Sequence, residues 1–280
     1  MATAVAAADA DSVGETIITS HERAANPVYA AIWGPVYVPF PSASPTASPS
    51  QAPPAPSLRA AREAAQLHAF SEALGNADAQ AAYAFAAMAV ARGVVDTYAE
   101  YVDAVDAGER SADDGGDGVI PDLVAERPLA IGGDEWPLVP VVSALDTETV
   151  ASLIVAHDRA QYVYEVVAAR SGGEDRARAS ERALLHRSRA ADLVAIAGTD
   201  PRGPGYVIDL AALAETDTRN GLLRSAEREL AGTYLEALAD APSDDRAWLM
   251  SGAHDALAAE AVWPGFAPEE LPVLPGHTLP

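Results

Sequence analysis

Three side chains in the C-terminal half of the sequence could together ligate a metal ion. His157 and His186 carry imidazoles and Glu229 carries a carboxylate. Neutral imidazole is a common metal ligand, and carboxylates suit iron and manganese. A His/His/Glu site for iron or manganese is therefore one hypothesis for this chain.

Apolar residues at helical spacing predict that both histidines face the interior of the protein. Glu229 lies at the edge of a third such stripe, beside Ala226 and Thr233. The alternative to a metal site is a purely structural role, in which each buried imidazole forms a hydrogen bond to a neighbouring group. We prefer this structural interpretation of the histidines. The two histidine stripes are Val150, Leu153, His157, Ala160, Tyr164 and Val167, and then Ala183, His186, Ala190, Leu193 and Ala197.

Composition and motifs argue against several other kinds of site. The 280 residues include no cysteine, which rules out disulfides, thiolate zinc sites and cysteine nucleophiles. The net charge of −23 disfavours binding to the phosphate backbone of nucleic acids. No apolar run is long enough to cross a bilayer, so no membrane span is predicted. Neither a nucleotide-binding glycine loop nor a Gly-x-Ser-x-Gly elbow occurs.

The hydrophobic periodicity predicts an all-α protein. Residues 57–107 are predicted to form a helical hairpin that turns at Gly75-Asn76. Regular helical patterning resumes after Asp146 or Thr147, either of which could be an N-cap. It predicts four further helices, at about residues 147–170, 174–197, 218–239 and 244–262.

The remaining segments are predicted to be irregular. Residues 1–56 are expected to be an extended or disordered arm and a Pro/Ser/Ala-rich linker, because proline excludes helix and central strand. Residues 108–146 form a long acidic connection, either a partly ordered wrap or a domain boundary. The predicted division is thus an arm, a helical hairpin, a connection, a bundle at 147–272 and a tail at 273–280.

The lengths of the connections predict how the last four helices are arranged. The first and second are joined by a short link, as are the third and fourth, so each pair is predicted to be an antiparallel hairpin. The segment "GTDPRGPGYVIDLAALAETD" between the two pairs is long enough to cross the bundle. Two hairpins joined by one long crossover form a ferritin-like four-helix bundle.

The usual ligands of a ferritin-like di-iron site are missing. Such sites take a glutamate from each of two helices and a Glu-x-x-His motif from each of the other two. Three residues before His186 stands Ala183, and three before His254 stands Ser251. The sequence therefore predicts a bundle centre poor in carboxylate, and the His/His/Glu set is the metal hypothesis that remains.

Four segments of the C-terminal half are distinctive: "AHDRAQYVYEVVAAR", "ALLHRSRAADLVAIAG", "GPGYVIDL" and "WPGFAPEELP". On these segments, residues 148–272 resemble an uncharacterised ferritin-like domain family of actinobacterial proteins. The resemblance implies the same bundle and, since relatives often look exported or lipid-anchored, a location at the cell envelope. The start as written has no basic n-region, which predicts a cytoplasmic protein unless that start is truncated.

Three functional hypotheses follow. The first is a non-catalytic helical bundle with a structural or protein-interaction role, in which a protein partner or self-association is expected. The second is a divergent metal-binding protein or metal-dependent oxidoreductase that uses His157, His186 and Glu229. The third is a small-molecule carrier with a pocket between the hairpins, for which the sequence gives no positive sign.

Overall fold

The computed structural model describes residues 15–21, 23–24, 58–76, 78–106, 126–131, 134–208 and 212–267. Within this part of the chain the fold is all-α, as predicted. Its long helices are α1 (Leu58–Gly75), α2 (Ala79–Asp106), α3 (Thr147–Arg170), α4 (Gly173–Ala197), α5 (Thr216–Ala239) and α6 (Ser243–Val262). Two short strands, β1 (Ala130–Ile131) and β2 (Asp134–Glu135), pair antiparallel. None of the described helices is both long and apolar enough to span a membrane.

The N-terminal arm differs from the prediction where it is described. Residues 15–21 are helical rather than extended, and Thr19 donates a hydrogen bond to the Glu15 carbonyl. Ile18 is only 7% exposed and belongs to the main core. Burial of this side chain outweighs the weak helix propensity of the surrounding β-branched residues. Apart from residues 23–24, the rest of the arm lies outside the described residues, as do the Pro-rich linker, residues 107–125 and the tail.

Local signals set the ends of the central helices. Asp146 is the N-cap of α3, and its side chain accepts a hydrogen bond from the Thr149 backbone N–H at 2.9 Å. At the C-terminus of α4, Gly198 ends the helix with φ of 67°. Glycine adopts this left-handed conformation without a steric penalty, so α4 ends there.

The last four helices pack as two pairs. A short link of residues 171–172 joins α3 to α4, and residues 240–242 join α5 to α6, so each pair lies antiparallel. Helix α3 also packs against α5, which brings the pairs together. The crossover segment, residues 198–215, connects α4 to α5 and contains a 3-10 turn at Ala212–Ala214. Its other described residues are not helical.

Helix α6 is enclosed on all sides. Every residue from Asp245 to Val262 is buried. The α1–α2 hairpin packs on α6, and α2 also contacts α5. Arg246 fixes this docking, because its guanidinium donates to the carbonyl oxygens of Ala73 and Asn76 at the end of α1. These are the carbonyls that a helix end leaves without intrahelical partners.

A covering segment, residues 126–131 and 134–146, lies over another side of α6. Ser251 of α6 accepts a hydrogen bond from the Leu129 N–H and donates one to the Trp136 carbonyl. Further along, the Ala144 N–H donates to Asp245 at 2.9 Å. The described part of the acidic connection is therefore an ordered wrap around this helix.

Candidate functional site

The structure brings two of the three candidate ligands together. His157 of α3 and His186 of α4 are fully buried, and their Nδ1 atoms lie 3.2 Å apart. Glu229 does not join them. Its carboxylate is 54% exposed and pairs with Arg159 at 2.8 Å on the outside of the helices. The expected convergence of three ligands is thus not found.

Glu227, not Glu229, is the carboxylate that meets the histidines. Its Oε1 lies 3.2 Å from His186 Nε2, and the residue is 0% exposed. Two positions along a helix correspond to a rotation of about 200°, so only one of the two glutamates can point inward. The side chains that surround this pair form what we call the polar cluster: His157, Tyr164, Arg182, His186, Arg189, Glu227, Tyr234 and Asp255.

Hydrogen bonds within the polar cluster determine which nitrogen of each imidazole carries the proton. Glu227 accepts, so His186 donates from Nε2, and in a neutral imidazole Nδ1 is then the acceptor. His157 therefore donates from Nδ1 to His186, and its Nε2 accepts from the Tyr234 hydroxyl at 2.7 Å. Both imidazoles are neutral in this arrangement, and every ring nitrogen is paired.

Two arginines of α4 balance the buried carboxylates. Arg182 donates to both oxygens of Glu227, at 2.7 and 3.1 Å, and to Asp255 of α6 at 2.8 Å. Arg189 donates to the same oxygen of Asp255 at 2.7 Å. Two guanidinium groups thus face two carboxylates, so with neutral histidines the polar cluster has no formal net charge.

Tyr164 and the covering segment donate the remaining hydrogen bonds to the two buried carboxylates. The Tyr164 hydroxyl donates to Glu227 and accepts from Trp263 Nε1, each at 2.7 Å. Tyr164 is itself fully buried. The Arg127 backbone N–H donates to the second oxygen of Asp255 at 2.6 Å. Buried polar groups require such partners, so this hydrogen bond helps to hold the covering segment against α6.

Burial and charge shift the pKa values of the polar cluster in consistent directions. Desolvation lowers the pKa of His157 well below its ordinary value, and the neighbouring His186 lowers it further. Desolvation also lowers the pKa of His186, more strongly than Glu227 raises it. Burial alone would raise the pKa of Glu227, but Arg182 and His186 outweigh it and lower the pKa to about 2. Arg182 and Arg189 likewise hold the pKa of Asp255 well below its ordinary range, against the effect of burial.

The spacing of the two arginines gives a partial signal for their place in the polar cluster. Arg182 and Arg189 stand four residues before and three after His186, so all three share one helical face. On α5, Glu227 falls in line with Leu223 and Leu230, two buried leucines. The positive charge of arginine argues against an interior position, and only the two opposing carboxylates make that position favourable.

His254, the other histidine considered for a di-iron motif, lies apart from the polar cluster. Its Nδ1 contacts the Arg127 carbonyl oxygen at 2.9 Å, and its ring packs against Gly93 of α2. Among the described residues, no group of three or more His, Asp or Glu side chains is arranged to hold a metal ion.

Fold and site together define an all-α protein whose last four helices enclose a charge-balanced polar centre. Every one of these four helices contributes to that centre. Comparisons with protein-family models, with curated proteins and with solved structures found no match.

Proposed function

We propose that α3 to α6 form a ferritin-like four-helix bundle that acts as a non-catalytic module with a structural or protein-interaction role. The observation that carries this proposal is the position of Arg182, which lies fully buried between Glu227 and Asp255. The two tightly linked helix pairs and the long crossover segment support the ferritin-like arrangement. They also support kinship with the actinobacterial family that residues 148–272 resemble.

Charge balance is the main argument for a non-catalytic centre. In ferritin-like di-iron proteins the metal ions supply the positive charge that several inward carboxylates require. In this chain Arg182 and Arg189 already supply that charge to Glu227 and Asp255. A divalent cation would have to displace a guanidinium or leave uncompensated buried charge, which costs several kcal/mol per ion.

Enclosure is the second argument. His157, Arg182, His186, Glu227 and Asp255 are each 0% exposed. A substrate would have to separate helices to reach any of these groups. The polar cluster is therefore better suited to fixing the register of the four helices than to chemistry, because its hydrogen bonds link side chains from all four helices, although Arg182 Nη1 and Arg189 Nε have no hydrogen-bond partner among the described residues.

The alternative function is metal binding or metal-dependent oxidation, with iron or manganese on His157 and His186. The observation in its favour is the contact between His186 Nε2 and Glu227 Oε1 at 3.2 Å, which supplies a carboxylate where Glu229 does not. A metal there would require both imidazoles to give up their present hydrogen bonds.

Metal analysis of the purified chain separates the two functions. The protein is incubated with iron or manganese, desalted and assayed by mass spectrometry of the elements, alongside His186→Gln and the control His254→Gln. We expect far less than one metal atom per chain in all three proteins. One atom per chain that is lost in His186→Gln but kept in His254→Gln would overturn the non-catalytic proposal.

A further inference from the structure

A cavity of about 270 Å³ lies between α3 and α5, at one edge of the crossover segment. Its inner wall is apolar and buried, and is formed by Ala160 and Val163 of α3 and by Ala226 and Leu230 of α5. None of these side chains belongs to the polar cluster. The volume is close to the lower end of the range for small-molecule sites, which are apolar clefts with a few polar groups.

Two opposite charges stand at the mouth of this cavity. Arg159 of α3 and Glu229 of α5 form an ion pair at 2.8 Å, and both are more than half exposed. Such an exposed pair contributes little stability, because water solvates both partners well. The pair is therefore readily opened by a ligand that offers each partner a replacement of opposite charge.

The crossover segment forms the third side of the cavity. Tyr206 is held to α3, since its hydroxyl donates to Asp158 at 2.9 Å and its ring packs on Tyr162 with centroids 5.7 Å apart. The next residue, Val207, lines the cavity although its side chain is fully exposed. A ligand with an apolar body would cover this valine as well as the inner wall.

We propose that this cavity binds a small zwitterion with an aliphatic body, which in chemical class is an α-amino acid with a branched apolar side chain. The ligand's carboxylate pairs with Arg159 and its ammonium group with Glu229, while the side chain enters the apolar interior. A ligand with a carboxylate alone would meet the like charge of Glu229. An amine alone would meet that of Arg159. This site is independent of the polar cluster and of whether a metal binds there.

A series of three ligands tests the charge requirement on the full chain. L-leucine, 4-methylpentanoate and 3-methylbutylamine share an aliphatic body, but only the first has both charges. Binding is followed by calorimetry and by amide chemical shifts. We expect saturable binding of L-leucine, and affinity at least about tenfold weaker for each single-charge analogue. Absence of saturable L-leucine binding, or equal affinity for either analogue, would overturn the proposal.

Matched variants test the location of the site. Arg159→Gln and Glu229→Gln should each weaken L-leucine binding about tenfold. Arg187→Gln removes a comparable exposed ion pair, with Glu165, away from the cavity, and should leave the affinity within about twofold. Ala156→Trp places an indole at the cavity wall and should abolish binding. Melting temperatures check that each variant folds. Equal losses in Arg159→Gln and Arg187→Gln, or undiminished binding in Ala156→Trp, would contradict the assignment.

Discussion

At the scale of single residues, the energetics of the polar cluster depend on pairs of opposite charge that no longer contact water. Arg182 contacts Glu227 and Asp255 with all three side chains at 0% exposure. Desolvation of an ion pair can cost as much as its attraction returns, so such a pair need not stabilise the fold overall. Removal of one partner is different, because the remaining charges stay buried without compensation.

Arg182→Met should therefore destabilise the protein strongly. It leaves Glu227 and Asp255 with less positive charge in a buried site, at a cost of about 3–5 kcal/mol in the free energy of unfolding. Urea denaturation followed by circular dichroism measures this change. The matched control is Arg187→Met, whose exposed pair with Glu165 should contribute no more than about 1 kcal/mol. Equal losses in the two variants would show that Arg182 is not buried as described.

The buried histidines should make stability depend on pH. The pKa values of His157 and His186 are lowered in the folded protein, chiefly by desolvation. Below pH 6.5 the unfolded chain therefore takes up protons that the folded protein does not, so stability is complete above that pH and falls as the pH decreases. Each histidine contributes a slope of at most about 1.4 kcal/mol per pH unit.

Urea denaturation between pH 7.5 and pH 5.5 tests this dependence. In that window Glu227, with its pKa lowered to about 2, and Asp255 remain ionised in the folded protein, so they add little to the slope. His254, whose pKa burial also lowers, adds to it. His186→Gln should reduce the slope relative to the wild type. A free energy of unfolding that stays constant across the window would disprove neutral buried histidines.

At the scale of the helices, Gly252 of α6 packs directly against the side chain of Tyr234 of α5. A Cβ atom added at this glycine would lie 2.4 Å from the ring of Tyr234, which is itself fully buried. Real Cβ atoms do not approach other atoms so closely, so one of the helices would have to move. The Tyr234 hydroxyl also forms a hydrogen bond with His157. The contact with Gly252 therefore helps to fix the position of a residue of the polar cluster.

Gly252→Ala should destabilise the protein, whereas Gly232→Ala should not. Overpacking against Tyr234 costs about 1–3 kcal/mol in the free energy of unfolding. Gly232 of α5 has open space where its Cβ would lie. Alanine at this position should therefore raise the free energy of unfolding by about 0.5–1 kcal/mol, because alanine has the higher helix propensity. Thermal and urea denaturation of both variants measure the two changes. A result of the same sign for both would contradict the described contact between α5 and α6.

At the scale of the whole molecule, the described elements depend on one another through α6. This helix is buried from Asp245 onward by the α1–α2 hairpin, by α5 and by the covering segment together. The main core accordingly includes Phe70 and Val90 of the hairpin as well as Leu249 and Leu257 of α6. The hairpin is thus part of the fold rather than an attachment to a complete bundle.

A fragment of residues 126–280 should therefore fail to fold cooperatively. Without the α1–α2 hairpin, the apolar face of α6 that contacts it would be exposed to water. We expect helical circular dichroism, no sharp thermal transition and strong binding of a hydrophobic fluorescent dye. The full chain under the same conditions is the control. A sharp transition and weak dye binding by the fragment would show that the last four helices are independent.

Local pattern accounts for much of the fold. The apolar periodicity predicts the long helices within a few residues, and Asp146, one of the two expected N-caps, is the one observed. The same periodicity correctly directs His157 and His186 into the interior. The expectation of an extended or disordered arm, which rests on composition, differs from the structure at residues 15–21, which are helical and bury Ile18 in the main core.

The sequence by itself determined the all-α class, the helix spans and the inward histidines, because these depend on residues close together along the chain. Only the tertiary structure decided which charged groups are buried. Glu227 rather than Glu229 is buried because it pairs with Arg182, which is 45 residues away in the sequence. Arg182 in turn also pairs with Asp255, which is 73 residues away. The cavity beside Arg159 likewise exists only where two helices and the crossover segment meet. A buried charge is tolerated only when a group of opposite charge packs against it, and the local sequence around either group does not show that the two will be in contact.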